Sequence, residues 1–305
     1  MTDMWSAEYW AKKGDVKLFM FRKRLGAPKK GEKPKPVFFM VHGSSFSGPS
    51  GFDLHVPGKR DYSLMEKFAE YGYDVWTLDH EGYGRSDRTA GNSAIAEGVH
   101  DLAAGMKVVA AETGQGSVAF YGSSSGALRA AAFAEAHPGA VSKLVLDAFV
   151  WTGEGSPTLA ERSKKLDQWK ASNMRAVDRA FFHSIFNRDM PGTSEEGVAD
   201  ALADAELALV DAVPTGTYYD MCVNLPVCDP ARLPCPVLII RGEHDGIATE
   251  EDLLDYYRRL PNKDKQFVVV PGQAHVSYLG VNRVRFWHVV RNFLEIPERL
   301  DNAAA

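Results

Sequence analysis

Short apolar runs alternate with amphipathic segments along most of this chain. Six of these runs have the length and composition of strands buried on both faces of a sheet, at residues 36–42, 73–79, 118–121, 143–149, 236–241 and 266–271. Segments with helical spacing separate most of them, including residues 95–112, 249–259 and 281–294. This order predicts an α/β protein with a mainly parallel central sheet, helices on both faces, and its site at the carboxyl ends of the strands.

Two stretches depart from this alternation. Residues 9–24 alternate apolar and polar positions around Lys13-Gly14-Asp15, which predicts a β-hairpin. Residues 150–233 have no buried-strand pattern, and helical spacing occurs there at residues 158–172, 175–186, 195–210 and 218–224. We therefore predict a core formed by residues 1–149 and 234–305, with residues 150–233 inserted as a helical cap.

The chain between the first two buried runs is less regular. Residues 46–60 contain three glycines and two prolines, which predicts a loop without helix at the entrance of a site. Residues 61–71 are predicted to form a helix with Asp61 as its N-cap.

Composition narrows the possible partners. The chain has 305 residues and a formal net charge of −5, with acidic and basic residues interspersed, so we expect neither nucleic acid nor a membrane surface as partner. No segment approaches the roughly 18 apolar residues of a membrane span, and the amino terminus lacks the features of a signal peptide. We expect a cytoplasmic protein that acts on a small molecule. The oligomeric state is left open.

The three cysteines do not indicate a metal centre. Cys222, Cys228 and Cys235 lie close together in sequence but have neither C-x-x-C spacing nor a histidine at metal-site spacing. No metal or other cofactor is predicted.

The run that ends at Tyr121 leads into the sequence Gly122-Ser123-Ser124-Ser125-Gly126 and then into an alanine-rich helical segment. This G-x-S-x-G pattern between a strand and a helix is typical of a nucleophile elbow, in which a strained turn exposes the central serine. Only Ser124 has glycines at both −2 and +2, so it is the predicted nucleophile. The alternative is a serine-rich turn without chemistry.

A serine nucleophile needs a base, and the base needs an acid to orient it. Asp245 and His275 each follow the end of a predicted buried strand, at the same sheet edge as Ser124. Their chain order, Ser, Asp, His, fits a catalytic triad. Asp147, at the end of an earlier strand, is the alternative acid, and plain loop roles remain the alternatives for Asp245 and His275.

A second loop at this edge supplies candidates for an oxyanion hole. The buried run 36–42 ends in His42-Gly43-Ser44-Ser45. If this loop lies beside the elbow, the backbone amides of Ser44 and Ser125 converge on one developing oxyanion. A simple strand-ending turn is the alternative.

Taken together, these motifs resemble those of the α/β-hydrolase superfamily over essentially the whole chain. The segment 79–86, Asp-His-Glu-Gly-Tyr-Gly-Arg-Ser, is similar to the D-x-x-G-x-G-x-S landmark of monoglyceride lipases and lysophospholipases. Ser123 departs from the family, many of whose esterases have a histidine or another large residue before the nucleophile. The resemblance implies a hydrolase with a triad of Ser124, Asp245 and His275.

The leading hypothesis is hydrolysis of a carboxylic ester or related acyl bond through an acyl-enzyme. The aromatic residues of the predicted cap indicate an apolar or aromatic substrate, and those near its hinges, Trp151, Tyr218 and Tyr219, are the predicted substrate contacts. Two alternatives stay open. One is hydrolysis of a carbon–carbon bond next to a ketone, and the other is a ligand-sensing homologue with slow turnover.

Overall fold

The computed structural model of the chain describes residues 3–297. Its strands, in chain order, are β1 Met4–Lys13, β2 Val16–Leu25, β3 Val37–Val41, β4 Asp74–Leu78, β5 Val118–Ser123, β6 Val141–Asp147, β7 Met174–Ala176, β8 Ala212–Pro214, β9 Val237–Gly242 and β10 Lys265–Val270. Its α-helices are α1 Gly48–Phe52, α2 Leu64–Glu70, α3 Ile95–Thr113, α4 Ser125–Ala136, α5 Pro157–Ser163, α6 Leu166–Ala171, α7 Arg179–Asn187, α8 Val198–Leu207, α9 Gly216–Val223, α10 Glu250–Arg259 and α11 Arg283–Leu294.

Eight strands form the central sheet, in the order β1-β2-β4-β3-β5-β6-β9-β10. The six strands from β4 to β10 in this order pair in parallel, and they are the six predicted from buried apolar runs. The predicted hairpin is also present, and its strands β1 and β2 extend the sheet in antiparallel pairing. The predicted α/β class with a mainly parallel sheet is therefore confirmed.

The core lies on both faces of this sheet. All five residues of β3 are buried, and they alternate between two apolar clusters because successive side chains of a strand point to opposite faces. Val37, Phe39 and Val41 join the cluster that includes side chains of α3 and α4, whereas Phe38 and Met40 join the one beneath α2 and α11. Burial on both faces explains why these strands appear as continuous apolar runs in the sequence.

The start of α2 differs from the prediction. The N-cap is Ser63, whose hydroxyl accepts a hydrogen bond from the amide of Glu66, and the prediction of Asp61 as the cap was wrong. Ser63 with Glu66 three residues later has the spacing of a capping box, which sets the start of the helix. The loop at residues 46–60 also contains the short helix α1, with Pro49 in its first turn, where the missing proline N–H costs nothing.

Residues 150–233, hereafter the cap segment, contain helices α5 to α9 and a small antiparallel sheet of β7 and β8. The helical prediction for residues 175–186 was wrong at its start, because β7 occupies Met174–Ala176 and α7 begins only at Arg179. Asp178 caps α7 by accepting a hydrogen bond from the amide of Phe181. The division of the chain into a core and a separate cap stays a prediction.

None of the helices within residues 3–297 combines the length and the apolar character that crossing a membrane requires.

Candidate active site

The turn between β5 and α4 holds Ser124 in a conformation that few residues adopt. Its φ is 56° and its ψ is −125°, outside the regions favoured by L-amino acids. The flanking glycines permit this turn, because a Cβ on Gly122 would overlap the backbone of Gly126, and one on Gly126 would overlap the carbonyl of Val41. The amide of Ser124 donates to the carbonyl of Asp147 at 2.8 Å, which ties the turn to β6. A strained residue fixed in this way is expected at a functional site.

The structure brings Ser124, His275 and Asp245 together. The Oγ of Ser124 lies 3.1 Å from Nε2 of His275, and Nδ1 of the same imidazole lies 2.9 Å from Oδ1 of Asp245. His275 and Asp245 are both buried, with 8% and 2% of their surface exposed. The imidazole therefore stands between a hydroxyl and a carboxylate, in the arrangement that activates a serine for attack.

The environment of Asp245 favours its ionised form. Burial acts to raise the pKa of Asp245, but the charge and the hydrogen bond of His275 outweigh it, and the pKa lies below its ordinary value. The amide of Ile247 also donates to this carboxylate at 3.0 Å. Arg241 braces the loop behind it, because its guanidinium donates to the carbonyls of Gly242 and Asp245.

Asp147, the alternative acid, occupies a different position. Its carboxyl accepts a hydrogen bond from the hydroxyl of Tyr121 at 2.8 Å, and burial raises its pKa well above the ordinary value. It is Asp245 that pairs with His275. A carboxyl held towards its neutral form would also stabilise an imidazolium poorly.

The loop after β3 lies against the elbow. A Cβ on Gly43 would stand 3.2 Å from Cβ of Ser124, and the hydroxyl of Ser44 donates to the hydroxyl of Ser125 at 2.7 Å. Within residues 3–297 the backbone amides of Ser44 and Ser125 donate to no other group. Both amides thus remain available to an oxyanion, and their role in stabilising one stays a prediction.

Two histidines behind this loop hold its backbone. Nδ1 of His42 lies 2.8 Å from the carbonyl of Gly43, and Nε2 accepts a hydrogen bond from the amide of His80 at 2.9 Å. Burial lowers the pKa of His42 well below its ordinary value, so the ring is neutral. The partners assign the proton to Nδ1.

A carboxylate of the cap segment also holds the loop that follows β3. Oε1 of Glu206, on α8, accepts hydrogen bonds from the amide and the hydroxyl of Ser47, at 2.7 Å and 2.8 Å. Glu206 is fully buried, and this burial raises its pKa to about 7 despite the two hydrogen bonds. Glu206 therefore couples the cap segment to the loop beside the elbow.

Two cavities meet at the site. An inner cavity of about 30 Å³ lies over Ser124 and His275, enough space for about two water molecules. An outer cleft of about 1040 Å³ lies next to it beneath the cap segment. Arg162, Arg188 and Tyr218 line both spaces and form the boundary between them.

Three arginines of the cap segment surround this boundary. The guanidinium of Arg162 lies 3.8 Å from the ring centroid of Tyr218, and that of Arg175 lies 4.1 Å from the same centroid. Arg188 lies beside Asp189, with Nε 3.3 Å from Oδ2. Burial acts to raise the pKa of Tyr218, but Arg175 and Arg162 outweigh it and lower the pKa to about 7. The electrostatic environment here is strongly positive.

Of the predicted substrate contacts, only Tyr218 lies at a cavity. The ring of Trp151 packs against Tyr256, its indole N–H donates to the carbonyl of Cys228 at 3.3 Å, and it lines neither space. Tyr219 also lines neither space. Their contact with substrate stays a prediction, and arginines line the two spaces together with apolar and aromatic side chains.

One cluster has the composition of a metal site. Possible ligand atoms of Asp189, Asp245 and His275 all lie within 4.8 Å of one another. His275 directs Nδ1 to Asp245 and Nε2 to Ser124, however, and Arg188 would place its charge beside a bound cation. These contacts fit a triad better than a metal, and we assign none.

Solved structures with this fold include several hydrolases and an esterase. The chain is similar to E-2-(acetamidomethylene)succinate hydrolase, with 19% identity, a TM-score of 0.68, and coverage of 96% of this chain and 100% of that one. A thermophilic esterase from Thermogutta terrifontis with malate bound is 18% identical, with a TM-score of 0.65 and coverage of 94% and 98%. The 2-hydroxy-6-oxo-6-phenylhexa-2,4-dienoate hydrolase of Rhodococcus sp. strain RHA1 is 16% identical, with a TM-score of 0.66 and coverage of 96% and 100%. At these identities the likeness shows the fold alone.

No curated protein sequence matches this chain. The model of the family described as serine aminopeptidase, S33, matches residues 55–278, which is more than half of the chain and includes Ser124, Asp245 and His275. The resemblance to the α/β-hydrolase superfamily is thereby confirmed, and the chain belongs to the serine aminopeptidase S33 family of α/β-hydrolase enzymes.

Proposed function

We propose that this hydrolase cleaves a carboxylic ester, or a related acyl bond, of a small molecule through an acyl-enzyme on Ser124. The observation that carries the proposal is the unbroken series of hydrogen bonds from Oγ of Ser124 through the imidazole of His275 to Asp245, located at a strained turn. A serine in this setting loses its proton to the imidazole as it attacks, which makes it a competent nucleophile.

Acylation follows from these positions. Oγ of Ser124 bonds to the carbonyl carbon while its proton passes to Nε2 of His275. The carbonyl oxygen becomes an oxyanion, which the amides of Ser44 and Ser125 stabilise, each by roughly 3 kcal/mol. When the intermediate collapses, the bond to the alcohol breaks and the alcohol leaves with the proton from Nε2.

Deacylation repeats the same steps with water. His275 takes a proton from the water molecule, the hydroxide attacks the acyl carbon, and the proton returns to Oγ of Ser124 as the acid leaves. Throughout, Asp245 stabilises the imidazolium and keeps Nε2 directed at Ser124. The lowered pKa of Asp245 suits this role, since the carboxylate stays ionised at neutral pH.

The decisive experiment replaces the proposed nucleophile. Ser124→Ala is expected to lower kcat for 4-nitrophenyl acetate and butyrate by about 10³- to 10⁶-fold, because the bond-forming oxygen is lost. Ser123→Ala is the matched control, since it changes the neighbouring serine of the same turn and is expected to retain kcat within about tenfold. Circular dichroism checks that both variants fold.

Two further measurements separate this proposal from its alternatives. A fluorophosphonate should label the wild type at Ser124 and leave Ser124→Ala unlabelled. Labelling without repeated turnover of any ester would support a ligand-sensing protein, and cleavage of a carbon–carbon bond next to a ketone, identified from the products, would support the other alternative. Turnover of Ser124→Ala close to that of the wild type would contradict the proposal.

A further inference from the structure

The boundary between the inner cavity and the outer cleft is built from cationic side chains. Arg162 and Arg188 line both spaces, and Arg175 lines the cleft. Among residues 3–297, no aspartate or glutamate lines the inner cavity. Glu161 and Asp189 also line the cleft, and Asp189 pairs with Arg188, but the three arginines and Lys165 outnumber them. The space next to Ser124 therefore has an excess of positive charge on the side of the cap segment.

Two of these arginines are buried without an acidic partner. Arg162 and Arg175 are each 9% exposed, and within residues 3–297 neither has a carboxylate oxygen within 4.0 Å. The guanidinium of Arg162 has one hydrogen bond, to Sδ of Met221 at 3.3 Å. Burying a charge in this way is costly unless a counter-charge arrives from elsewhere.

Within residues 3–297 the protein itself does not satisfy all the hydrogen-bond donors of Arg175. One Nη of Arg175 donates to the carbonyl of Ser44 at 2.9 Å and to the hydroxyl of Ser45 at 3.2 Å. Its Nε is buried and has no hydrogen-bond partner within the part of the chain that the structure describes. Buried donors that lack a partner are rare in folded proteins and call for one.

We propose that Arg162, Arg175 and Arg188, hereafter the arginine cluster, bind a carboxylate group of the substrate, so that the enzyme acts on esters that carry a negative charge. This inference rests on the proposed function, because it concerns the substrate of the same serine. Guanidinium groups suit the task, since their planar set of donors matches the two oxygens of a carboxylate.

The position of the cluster limits how far the carboxylate lies from the scissile bond. Arg162 and Arg188 line the same small cavity as Ser124, so the carboxylate and the ester belong to one compact molecule. The outer cleft provides space for the rest of that molecule. Half-esters of short dicarboxylic acids have this form, and so do hydroxybenzoic acids that are esterified at the phenolic hydroxyl and keep a free carboxylate.

The pKa of Tyr218 reflects the charge of the same arginines. Arg175 and Arg162 lower the pKa of this buried tyrosine to about 7, and only a strongly positive environment does so against the effect of burial. Strongly shifted pKa values beside cavities are concentrated at functional sites. The same field that favours a phenolate favours a bound carboxylate.

The test compares esters that differ in a single charge. We would measure kcat/KM for 4-nitrophenyl hydrogen adipate against methyl 4-nitrophenyl adipate, and for 4-acetoxybenzoate against methyl 4-acetoxybenzoate. The first pair places the charge in the acyl group and the second in the leaving group. The wild type is expected to favour the charged member of at least one pair by about 10- to 100-fold, which is the usual effect of hydrogen bonds to a charged group.

Variants then assign that preference to the cluster. Arg162→Gln and Arg188→Gln are each expected to lower the ratio of charged to neutral kcat/KM by about tenfold or more. Arg162→Lys keeps the charge but loses the planar donors, so its ratio of charged to neutral kcat/KM should lie between the ratios of the two Gln variants and that of the wild type. Arg179→Gln is the matched control, because Arg179 is exposed on α7 and pairs with Asp200, and its ratio should equal that of the wild type.

The outcomes separate this inference from the proposed function. Ser124-dependent hydrolysis with no preference for the charged member of either pair would overturn the inference and leave the proposed function intact. If neither pair is hydrolysed and 4-nitrophenyl acetate and butyrate are not hydrolysed either, the proposed function fails. Whenever neither pair is hydrolysed, calorimetry with Ser124→Ala decides the inference: tighter binding of 4-acetoxybenzoate than of its methyl ester supports it, and equal binding overturns it. Stronger competition by inorganic phosphate than by glutarate would also overturn it, since the site would then prefer a different anion.

Discussion

Arg22 and Arg162 are both buried arginines that lie over aromatic rings, yet their partners differ completely. Arg22 donates from Nε and Nη2 to the two carboxylate oxygens of Asp74, at 2.9 Å and 2.6 Å. Its guanidinium lies 4.8 Å from the ring of Trp76, much as that of Arg162 lies near Tyr218. Arg162 has no such carboxylate. For Arg22 the chain itself supplies the acid, whereas for Arg162, which lies beside a cavity, we expect the acid to come from the substrate.

A third buried arginine shows that a missing acid alone is not enough. Arg129 is fully buried in α4 and donates to the carbonyl and the hydroxyl of Ser93, at 2.7 Å and 2.9 Å. It lines neither the inner cavity nor the outer cleft. A guanidinium that binds a ligand therefore needs both to be buried without an acid and to lie beside a space that the ligand can enter.

Of Arg22 and Arg162, Arg22 has the structural role, and removing its acid is expected to have the largest effect. Asp74→Asn should lower the free energy of unfolding by about 3–5 kcal/mol, because it removes the buried carboxylate that Nε and Nη2 of Arg22 both contact and leaves only the half-exposed Glu112, 3.6 Å from Nη1. Urea denaturation measures this change. Asp200→Asn, which affects an exposed pair with Arg179, is the control and should leave the midpoint nearly unchanged. A similarly small effect of Asp74→Asn would show that Arg22 does not depend on its acid, and would contradict the contrast with Arg162.

The next effect concerns the opposite case, a buried acid without a cation. The pKa of Glu206 is about 7 in the folded protein and near its ordinary value of 4.5 in the unfolded chain, so the folded state holds an extra proton between these pH values. The free energy of unfolding therefore falls as pH rises through this window. Glu206→Gln cannot titrate, and it should reduce the difference between pH 5 and pH 8 by about 2 kcal/mol.

Denaturation of the wild type and Glu206→Gln at both pH values measures that difference. Gln keeps an oxygen that can accept from Ser47, so the loop beside the elbow should stay in place. An unchanged dependence on pH would show that Glu206 is ionised throughout this range, and would contradict the effect assigned to its burial.

The smallest expected effect is that of replacing Arg162, the arginine to which we assign a role in binding substrate. Arg162→Met keeps most of the volume and removes an unpaired buried charge, so it should raise the free energy of unfolding by about 1 kcal/mol while the preference for charged esters is lost. Urea denaturation and the ester ratio are measured on the same preparation. A loss of stability comparable to that of Asp74→Asn would make Arg162 a structural residue like Arg22.

The sequence predicts the sheet well because its signals are local. Each of the six parallel strands is an apolar run, and burial on both faces requires such a run whatever the neighbouring strands are. The strands β7 and β8 have no comparable signal, since each has three residues and forms only where the partner lies beside it. Asp61 was the predicted cap of α2, but Ser63 also has a suitable side chain, and it is Ser63 that accepts the hydrogen bond from the amide of Glu66.

The residues of the site also differ in whether a local sequence pattern predicts them. Ser124, Asp245 and His275 were found because each follows a predictable strand, and parallel strands bring their carboxyl ends to one edge. Arg162, Arg175 and Arg188 have no shared motif or spacing, and in sequence they resemble ordinary surface arginines. Their convergence depends on how α5, β7 and the end of α7 pack, which no local pattern encodes. For the same reason closeness to the predicted hinges does not decide which aromatic residues line the two spaces: Tyr218 does, and Trp151 and Tyr219 do not.

One short series of hydroxyl groups links the cap segment to the elbow. Thr217, on α9, donates to the hydroxyl of Ser44 at 2.8 Å, and Ser44 donates to that of Ser125 at 2.7 Å. Any displacement of α9 away from the sheet breaks the first of these bonds and frees the Ser44 side chain to rotate. The position of α9 and the orientation of the Ser44 side chain beside the elbow are therefore connected through three hydroxyl oxygen atoms.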